Sequence, residues 1–405
     1  MIALADCNNF FASCECSIRP GLQGKPVVVL SNNDACIIAR SNEAKSLGYK
    51  MGEPVFRVKE RLIRDKVHVF SGNVTLYRDI SDKIMRILDL ECTRMEVYSI
   101  DEAFMDFSFV AGSEEKAILL KEQVWRETKI PISIGIAKTK VLAKLASIIA
   151  KKHTSTGVFL LEEKTLVERA LSYYGVEELW GVGRKYAKFL HSNGIFQASQ
   201  LAQINEAWAR RHMKIGGVQL IRELNGIPSF DLVHTRAVKK SIRSTRSFRQ
   251  EVNALGLLNE VLSNFACSCA FKLRAQKTKA KKIAVFIQTN RFKEQIKHHY
   301  GYLEVELPVA SNDSIEIVKF TSWALTQIYK NECAYKRAGV MVLDVVSEDN
   351  IQLNLFHVEN LNKRNKLMKV YDQINSKMGE GTVQISIQGP SNRWCRKKEP
   401  IAFGN

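Results

Sequence analysis

The sequence predicts a multidomain α+β protein in which helices back a largely antiparallel sheet. Short apolar runs of strand length are mixed with amphipathic segments from residue 1 to about residue 160, which is typical of a sheet covered by helices. The chain has 405 residues, more than one hydrophobic core usually supports, so about two to four domains are expected.

Hydrophobic periodicity predicts the elements of this first region in order. An apolar run predicts a strand at Ile2 to Ala5, and Met95 to Phe107 predicts two strands about a turn at Ile100 to Glu102. Glycines and prolines between residues 11 and 72 predict a small insertion that brings these strand ends close in space. The elements predicted to complete the region are a helix at Glu114 to Thr128, a strand at Pro131 to Ala137 and a helix at Lys138 to Lys151.

Three carboxylates at the strand ends are the main candidates for chemistry. Asp6 follows the first strand, and Asp101 and Glu102 lie at the later turn. Converging carboxylate oxygens suit Mg²⁺, and a pair of such ions can run phosphoryl or nucleotidyl transfer. Taken singly, each carboxylate is more often a cap or turn residue, but their joint context favours a metal site. Because neighbours on a regular strand point to opposite faces, we predict that the turn redirects Asp101 or Glu102.

The charge of the chain predicts a polyanionic partner. The formal net charge is +18, and between Arg236 and Lys293 fourteen Lys or Arg stand against two acidic residues. Apolar stretches in the same segment favour a folded basic module over a disordered tail. Since Lys and Arg that neutralise phosphates release condensed counterions, nucleic acid is the expected partner. A membrane is not expected, because no apolar run reaches the roughly 18 residues of a spanning helix.

The nine cysteines predict reduced, mostly buried thiols. Their number is odd and they include no C-x-x-C pair of the kind that zinc sites use. The first residues also lack the basic start and apolar core of a signal peptide. We therefore expect a cytoplasmic protein.

A glycine-rich hairpin predicts a contact with the DNA backbone. The run from Leu179 to Gly183, with glycine at 181 and 183, precedes a helical segment and has the layout of a helix-hairpin-helix. The glycines allow a tight turn, after which amides at the next helix N-terminus can bind a phosphate. Alone, the pattern is more often an ordinary loop. A looser second pattern at Ile215 to Gly217, beside a basic domain, favours sequence-independent binding of the duplex.

A pentapeptide beyond the basic segment is a candidate docking motif. Residues 352–356 combine a polar residue with spaced apolar anchors. Any amphipathic strand can supply such a pattern by chance, so alone it leaves a docking role open. The candidate residues are Gln352, Leu353, Leu355 and Phe356.

Together these motifs resemble those of the Y-family of translesion DNA polymerases, through nearly the whole chain. The runs Asp6 to Glu15 and Tyr98 to Phe104 resemble the two metal motifs of that family. The resemblance is closest to the UmuC branch, the catalytic subunit of bacterial DNA polymerase V and its plasmid-borne relatives. It implies error-prone translesion synthesis in the SOS response to DNA damage.

The resemblance implies a right-hand polymerase with a helix-backed antiparallel palm sheet, small fingers, a helical thumb with helix-hairpin-helix elements and an α/β little finger. The implied domains are the palm at residues 1–10 and 73–160, the fingers at 11–72, the thumb at 161–236, the basic, DNA-binding little finger at 237–348, and a C-terminal extension with a clamp-binding motif at 349–405.

Roles at the active site are also implied by the resemblance. Asp6, Asp101 and Glu102, with the backbone carbonyl of Cys7, would hold two Mg²⁺ ions. One ion would activate the primer 3′-hydroxyl for attack on the α-phosphate, and the other would neutralise charge on the triphosphate. Phe11 is implied to be the steric gate, a ring that would clash with a ribose 2′-hydroxyl.

Two lysines, Lys45 and Lys151, match the positions where the family binds the triphosphate. This sequence has Asn42 where many members have tyrosine and Lys45 where many have arginine. A lysine lacks the bidentate geometry of arginine, so the geometry of binding is open. The expected DNA contacts are Gly181, Gly183, Arg243, Arg246 and Arg249.

The implied partners are primer–template DNA, deoxynucleoside triphosphates and a sliding clamp, which would bind at residues 352–356 and raise avidity by about 10² to 10⁴. Residues 360–394 resemble the extension of the UmuC branch, which implies contact with a processed UmuD-type dimer and a recombinase filament. The implied location is the nucleoid of a bacterial cytoplasm.

Two other functions compete with a polymerase. A DNA-bound and clamp-bound adaptor with the polymerase fold would have no need of the three carboxylates. A metal-dependent nuclease would need similar carboxylates, but not Phe11 or the lysine pair Lys45 and Lys151. The residues at the site, not the fold, decide among these functions.

Overall fold

The computed structural model describes residues 1–108, 112–233, 238–349 and 361–389. Within these ranges the chain forms two compact units, one up to residue 233 and the other from residue 238. Each mixes helices with sheets, as the predicted α+β class requires. Within the described ranges, no helix is both long enough and apolar enough to cross a membrane. The eight cysteines within them are free.

The first unit contains two sheets and a set of helices. Its strands are β1 (Ile2–Cys7), β2 (Val27–Leu30), β3 (Ile37–Arg40), β4 (His68–Ser71), β5 (Met95–Val97), β6 (Glu102–Asp106), β7 (Ile132–Ala137) and β8 (Val158–Leu161). Its helices are α1 (Phe10–Ser17), α2 (Asn42–Ser46), α3 (Val55–Arg64), α4 (Val74–Asp89), α5 (Ser113–Thr128), α6 (Lys140–His153), α7 (Lys164–Tyr173), α8 (Arg184–Ser192), α9 (Ala198–Ala202) and α10 (Glu206–Leu224).

Strand β1 lies at the centre of the larger sheet, whose strand order is β5-β6-β1-β7-β8. It pairs antiparallel with β6 and β7, whereas β7 and β8 are parallel. The strands and helices predicted for this region are confirmed. Helix α6 begins at Lys140, two residues after its predicted start, because the Thr139 side chain caps it by accepting a hydrogen bond from the Leu142 amide.

Alternation along β1 divides its side chains between two cores. Ala3 and Ala5 are buried with side chains of α1, α4 and α5, whereas Leu4 is buried with side chains of α6 and the later helices. Because strand side chains alternate, Asp6 lies on the same face as Leu4. The first predicted carboxylate therefore stands at the strand end on the face that α6 covers.

Helix α6 passes directly over β7 at Gly135. A Cβ atom at this position would lie 2.0 Å from the amide nitrogen of Ser147 and 2.5 Å from the carbonyl oxygen of Ala143. Both are backbone atoms, so only glycine permits this approach. The contact sets the height of α6, and of its lysines, above the sheet.

The segment between β1 and α4 contributes to two cores. Phe10, Ala12 and Cys14 of α1 are buried in the core of the larger sheet. The smaller sheet has the order β3-β2-β4, in which β2 and β4 are parallel. Its own core includes Leu30 and Tyr49 and is covered by α2 and α3.

Helices α7 to α10 follow the larger sheet. Gly181 has a φ of 96°, a left-handed conformation that favours glycine, and Gly183 immediately precedes α8. The looser second glycine pattern is built differently from the first. Gly216 and Gly217 lie within α10, after a kink at Lys214 where φ is 65° and ψ is −159°.

The second unit is an antiparallel sheet with helices on one face. The strand order is β11-β10-β12-β9, and α11 and α12 supply most of the helical part of the core. The elements are β9 (Ile242–Val252), α11 (Leu255–Ala275), β10 (Thr278–Thr289), β11 (Tyr300–Ser311), α12 (Ser314–Ile328), β12 (Tyr335–Ser347) and α13 (Leu361–Met378).

Helix α13 and the residues after it pack on α11. The Arg274 guanidinium donates two hydrogen bonds to the Asp372 carboxylate, at 2.6 and 2.7 Å, and a third to the Asn312 carbonyl oxygen at 2.6 Å. The Asn264 side chain donates to the Gln388 carbonyl oxygen at 3.0 Å. The described C-terminal residues are therefore part of the second unit.

Gly135→Ala is expected to lower the free energy of unfolding of the first unit by about 3 kcal/mol or more, because the added methyl group meets helix backbone. Guanidinium denaturation followed by circular dichroism measures this loss. Gly216→Ala is the matched control, since a Cβ there meets no described atom within 4 Å and alanine favours a helix. Equal stability of the two variants would contradict the close approach.

Candidate active site

Asp6 and Glu102 are direct partners across two strands. In the antiparallel pairing of β1 and β6, Asp6 stands opposite Glu102 and Leu4 opposite Phe104. Side-chain alternation places all four on the face covered by α6. The pairing register thus brings together two of the three predicted carboxylates.

Two lysines of α6 pair with these carboxylates. Lys151 Nζ lies 2.9 Å from Asp6 Oδ1, and Lys144 Nζ lies 3.0 Å from each carboxylate oxygen of Glu102. The lysines are seven residues apart, close to two helical turns, so they share one face of α6. Both carboxylates are consequently held by charge-assisted hydrogen bonds.

Asp101 lies in the turn that precedes β6. Its carbonyl oxygen accepts a hydrogen bond from the Cys7 amide at 2.9 Å, which extends the ladder between β1 and β6 by one residue. The Ser99 hydroxyl donates to Asp101 Oδ1, and the Asp101 amide donates to Ser99 Oγ at 3.2 Å. The turn thereby fixes the Asp101 side chain. It stays a prediction that Asp101 and Glu102 bind the same metal ion. It also stays a prediction that the Cys7 carbonyl oxygen is a metal ligand.

Burial dominates the electrostatics of this centre. It raises the pKa of Glu102, Lys144 acts in the opposite direction, and the charges of Asp6 and Asp101 raise that pKa further. Burial, followed by the charges of Asp6 and Asp101, also raises the pKa of the Cys7 thiol well above its ordinary value. The charges of Asp6 and Asp101 therefore both act on Glu102 and on Cys7.

The oxygen donors fit a divalent cation. The negative charges of Asp6 and Asp101 disfavour the charged form of Glu102. A bound divalent cation would have the opposite effect, because it attracts all three carboxylates. Carboxylate oxygens are also the donors that Mg²⁺ prefers. Among the described residues, however, no three His, Cys, Asp or Glu side chains are already arranged as a metal site. Asp6 pairs with Lys151 of α6, and Glu102 pairs with Lys144 of the same helix.

Phe11 lies in the first turn of α1, and its ring has a fixed support. It stacks on Tyr77 of α4, with a distance of 4.6 Å between ring centroids and an interplanar angle of 18°. The Tyr77 hydroxyl donates to the buried Glu15 at 2.7 Å, and Arg19 also pairs with Glu15. The predicted gate ring is therefore backed by an ordered polar network.

Lys45 lies on α2, whose N-terminus is capped by the Ser41 side chain, which accepts a hydrogen bond from the Ala44 amide. Its ammonium donates to the Asn9 side chain. Burial lowers the pKa of Lys45, and the charges of Lys151 and Arg40 lower it further. The two lysines predicted to bind the triphosphate are therefore close enough to repel each other, and Arg40 adds a third cation.

Sequence reasoning missed the residues that support the predicted ones. Lys144 could have been found from its spacing of seven residues to Lys151 on one helix, and Glu15 from its position four residues after Phe11. Tyr77 and Arg40 carry no such signal, because only the folded chain brings them to the site.

The predicted DNA contacts lie in both units. Gly181 and Gly183 form the hairpin before α8, as described above. Arg243 and Arg249 are exposed, each next to a buried core residue of β9. Alternation points Arg243 away from the helices, whereas Arg249 lies where the pairing of β9 with β12 is irregular. Arg246 is half-buried on the helix-covered side. That these residues bind DNA stays a prediction.

The docking motif at Gln352 to Phe356 lies outside the described residues, as does residue 390 onward of the C-terminal extension.

Known proteins match this chain along its length. The family model described as the impB/mucB/samB family matches residues 5–148, and the model of its C-terminal domain matches residues 239–355. Protein UmuC of Salmonella typhimurium (strain LT2) is 38% identical, over 99% of this chain and 97% of its own length. The chain belongs to this family. The predicted UmuC branch of the Y-family DNA polymerases is thereby confirmed, and DNA-directed DNA polymerase is the enzyme class of that branch.

Three further matches extend the comparison of this UmuC-type chain. DNA polymerase IV of Oceanobacillus iheyensis is 28% identical, over 98% of this chain and 93% of its own length. A solved structure of a Y-family DNA polymerase chimera has a TM-score of 0.70 at 21% identity, and it covers 86% of this chain and 100% of the chimera. This likeness confirms the predicted fold. A model described as a domain of unknown function matches residues 365–400.

Tyr77→Phe is expected to lower the free energy of unfolding by about 1 to 3 kcal/mol, since it leaves the buried Glu15 carboxylate with one partner fewer. Chemical denaturation measures the change. The control is Tyr173→Phe, because Tyr173 is an exposed tyrosine of the same unit and should change stability by less than about 0.5 kcal/mol. A similar small effect of both substitutions would show that the Glu15 bond is not stabilising.

Proposed function

We propose that this UmuC-branch protein is a template-directed DNA polymerase that performs error-prone translesion synthesis, by two-metal nucleotidyl transfer, in the SOS response to DNA damage. The observation that carries the proposal is the pairing of Asp6 with Glu102 across β1 and β6, beside Lys151 and below α6. The family membership of the chain supports the same reaction.

Asp6, Asp101 and Glu102, with the Cys7 carbonyl, are the residues that hold two Mg²⁺ ions in this proposal. Bound there, the ions supply charge neutralisation at the attacking and leaving oxygens of nucleotidyl transfer. The carboxylates orient the donor oxygens, and burial of Glu102 strengthens its electrostatic interactions. Lys144 opposes the effect of burial on ionisation, because its ammonium lowers the Glu102 pKa that burial raises.

Lys45 and Lys151 bind the triphosphate of the incoming nucleotide. Their mutual repulsion, together with that of Arg40, is relieved when anionic phosphates lie between them. The buried Nε of Arg40 has no hydrogen-bond partner among the described residues. Arg40 is therefore an additional candidate for this role, beside the two predicted lysines.

Phe11 selects deoxyribonucleotides by exclusion. Tyr77 supports its ring from behind, so a ribose 2′-hydroxyl cannot displace the ring without breaking that stack. Tolerance of damaged template bases comes from an open site, as in the Y-family.

DNA binding divides among the proposed domains. Residues 1–10 and 73–160 form the palm, 11–72 the fingers, 161–236 the thumb, 237–348 the little finger and 349–405 the extension. The hairpin at Gly181 and Gly183 and the basic strand with Arg243, Arg246 and Arg249 bind primer–template DNA mainly through its phosphates. The proposed location is the nucleoid of the bacterial cytoplasm.

A sliding clamp, a UmuD-type dimer and a recombinase filament are the proposed protein partners. The clamp binds Gln352, Leu353, Leu355 and Phe356, and the other two bind the extension. The support is the resemblance of these segments to the UmuC branch. The alternative is an adaptor without chemistry, and retention of all three carboxylates counts against it.

Primer extension on undamaged and abasic templates tests the proposal. With Mg²⁺ and deoxynucleoside triphosphates, the wild type is expected to extend primers, whereas Asp101→Ala combined with Glu102→Ala loses about 10³-fold in rate, since ion-holding charge is removed. The reaction is run with and without clamp and UmuD-type partner.

Glu114→Ala combined with Glu115→Ala is the matched control, because it removes an exposed adjacent acidic pair on α5. Extension by wild type and control alone supports the polymerase. No extension by wild type under any condition, with DNA binding intact, favours the adaptor.

Phe11→Ala is expected to reduce the preference for deoxyribonucleotides over ribonucleotides by about 10²-fold, because the ring that excludes the 2′-hydroxyl is gone. The ratio of kcat/KM for the two nucleotides measures this preference. Phe56→Ala serves as control, since Phe56 is an exposed phenylalanine on α3. An unchanged ratio in Phe11→Ala would remove the gate assignment.

A further inference from the structure

Trp180 joins the glycine hairpin to the larger sheet. It precedes Gly181 in the hairpin, and its indole Nε1 donates a hydrogen bond to the Tyr98 hydroxyl at 2.9 Å. The two rings meet edge to face, with centroids 5.5 Å apart, and Trp180 also contacts Phe104 of β6 at 5.8 Å. One residue of the hairpin is thus fixed to the strand that begins with Glu102.

Lys144 lies between these rings and the Glu102 carboxylate. Its ammonium is 4.9 Å from the centroid of the Tyr98 ring and 6.0 Å from that of Trp180, within the range of cation–π attraction. The same ammonium donates to both carboxylate oxygens of Glu102 at 3.0 Å. The position of Lys144 is therefore set jointly by the carboxylate and by two aromatic rings.

Tyr98 is ordered by these contacts and not by burial. Its side chain is 43% exposed, but its amide donates to the Glu102 carbonyl oxygen at 3.1 Å. Its ring also meets Phe104 edge to face at 5.6 Å. The hydroxyl that accepts the Trp180 hydrogen bond is consequently held at a fixed place beside Lys144.

We propose that Trp180 and Tyr98 are positioning residues for Glu102 and act on it through Lys144. The inference rests on the proposed function, in which Glu102 holds a metal ion and the hairpin of Gly181 holds a DNA phosphate. The aromatic pair keeps the ammonium, and through it the carboxylate, at a set distance from the hairpin. The hairpin that binds the DNA backbone is thereby linked to the metal ligand Glu102 through Trp180, Tyr98 and Lys144.

Two variants remove the hydrogen bond while keeping a ring in each place. Trp180→Phe removes the donor and Tyr98→Phe removes the acceptor. Each is expected to lower the single-turnover rate of nucleotide incorporation about fivefold, the rate equivalent of one hydrogen bond, with little change in the KM for the nucleotide. The double variant is expected to match the single ones, because all three lack the same bond.

Metal binding gives a readout that does not need turnover. Free Mn²⁺ is measured by electron paramagnetic resonance in the complex of full-length protein with nucleotide and a primer that ends in a dideoxynucleotide. Both variants are expected to raise the dissociation constant for Mn²⁺ about fivefold. Trp125→Phe is the matched control, because Trp125 is an exposed tryptophan of α5 in the same unit.

The outcomes separate this inference from the proposed function. Unchanged Mn²⁺ affinity in both variants overturns it, because a packing role alone moves stability and not metal binding. Additive effects of the two substitutions also overturn it. A wild type that binds Mn²⁺ but does not extend primers contradicts the polymerase, while the Mn²⁺ comparison still decides the role of Trp180. A wild type that binds no Mn²⁺ overturns the inference.

Discussion

The pairing of β1 between β6 and β7 is the constraint on which the rest of this molecule depends. A shift of one residue in that pairing would turn Asp6 to the opposite face of the sheet. Packing disfavours such a shift, since it would exchange the large Leu4 with the small Ala3 and Ala5 between two buried cores. The packing of the apolar part of β1 therefore determines the direction of Asp6 at its end. The same strand pairing thus forms both the core and the candidate site.

Helix α6 has a second part in the same arrangement. Gly135 lets the helix approach β7 at backbone contact, and Lys144 and Lys151 then reach Glu102 and Asp6 from above. Asp6 and Glu102 each have a lysine partner, so the partly buried charges of these two carboxylates are compensated. Lysine, a flexible point charge, can leave a carboxylate for a phosphate at lower geometric cost than a bidentate arginine.

The sequence allowed the strand ends, their carboxylates and the helix that bears Lys151 to be predicted, because these follow from local periodicity and from motifs. The start of α6 was missed by two residues, since the cap at Thr139 is a matter of side-chain geometry. The second glycine pattern follows the kink at Lys214 that divides α10, so its glycines lie in the helix after the turn and not in the turn itself.

Other features of the candidate site arise only from tertiary contacts. The support of Phe11 by Tyr77 joins residues that are far apart in the chain. The pairing of Tyr98 with Trp180 does the same, and neither has a spacing that periodicity could reveal. The opposite orientations of Arg243 and Arg246 depend on which face of β9 the helices cover, which the basic composition of the segment does not determine.

Helix α13 is structurally part of the second unit, which affects how truncated forms of this protein must be interpreted. The Arg274 side chain is only 11% exposed, and the carboxylate that neutralises its charge is that of Asp372 on α13. A chain shortened before α13 would leave that guanidinium without its counterion, and would delete Met368, a buried side chain of α13. If such a truncated protein failed to bind a partner protein, the failure would reflect damage to the second unit as much as removal of a docking segment. Exposed side chains of α13, such as Leu367 and Val370, offer substitutions that leave this support in place.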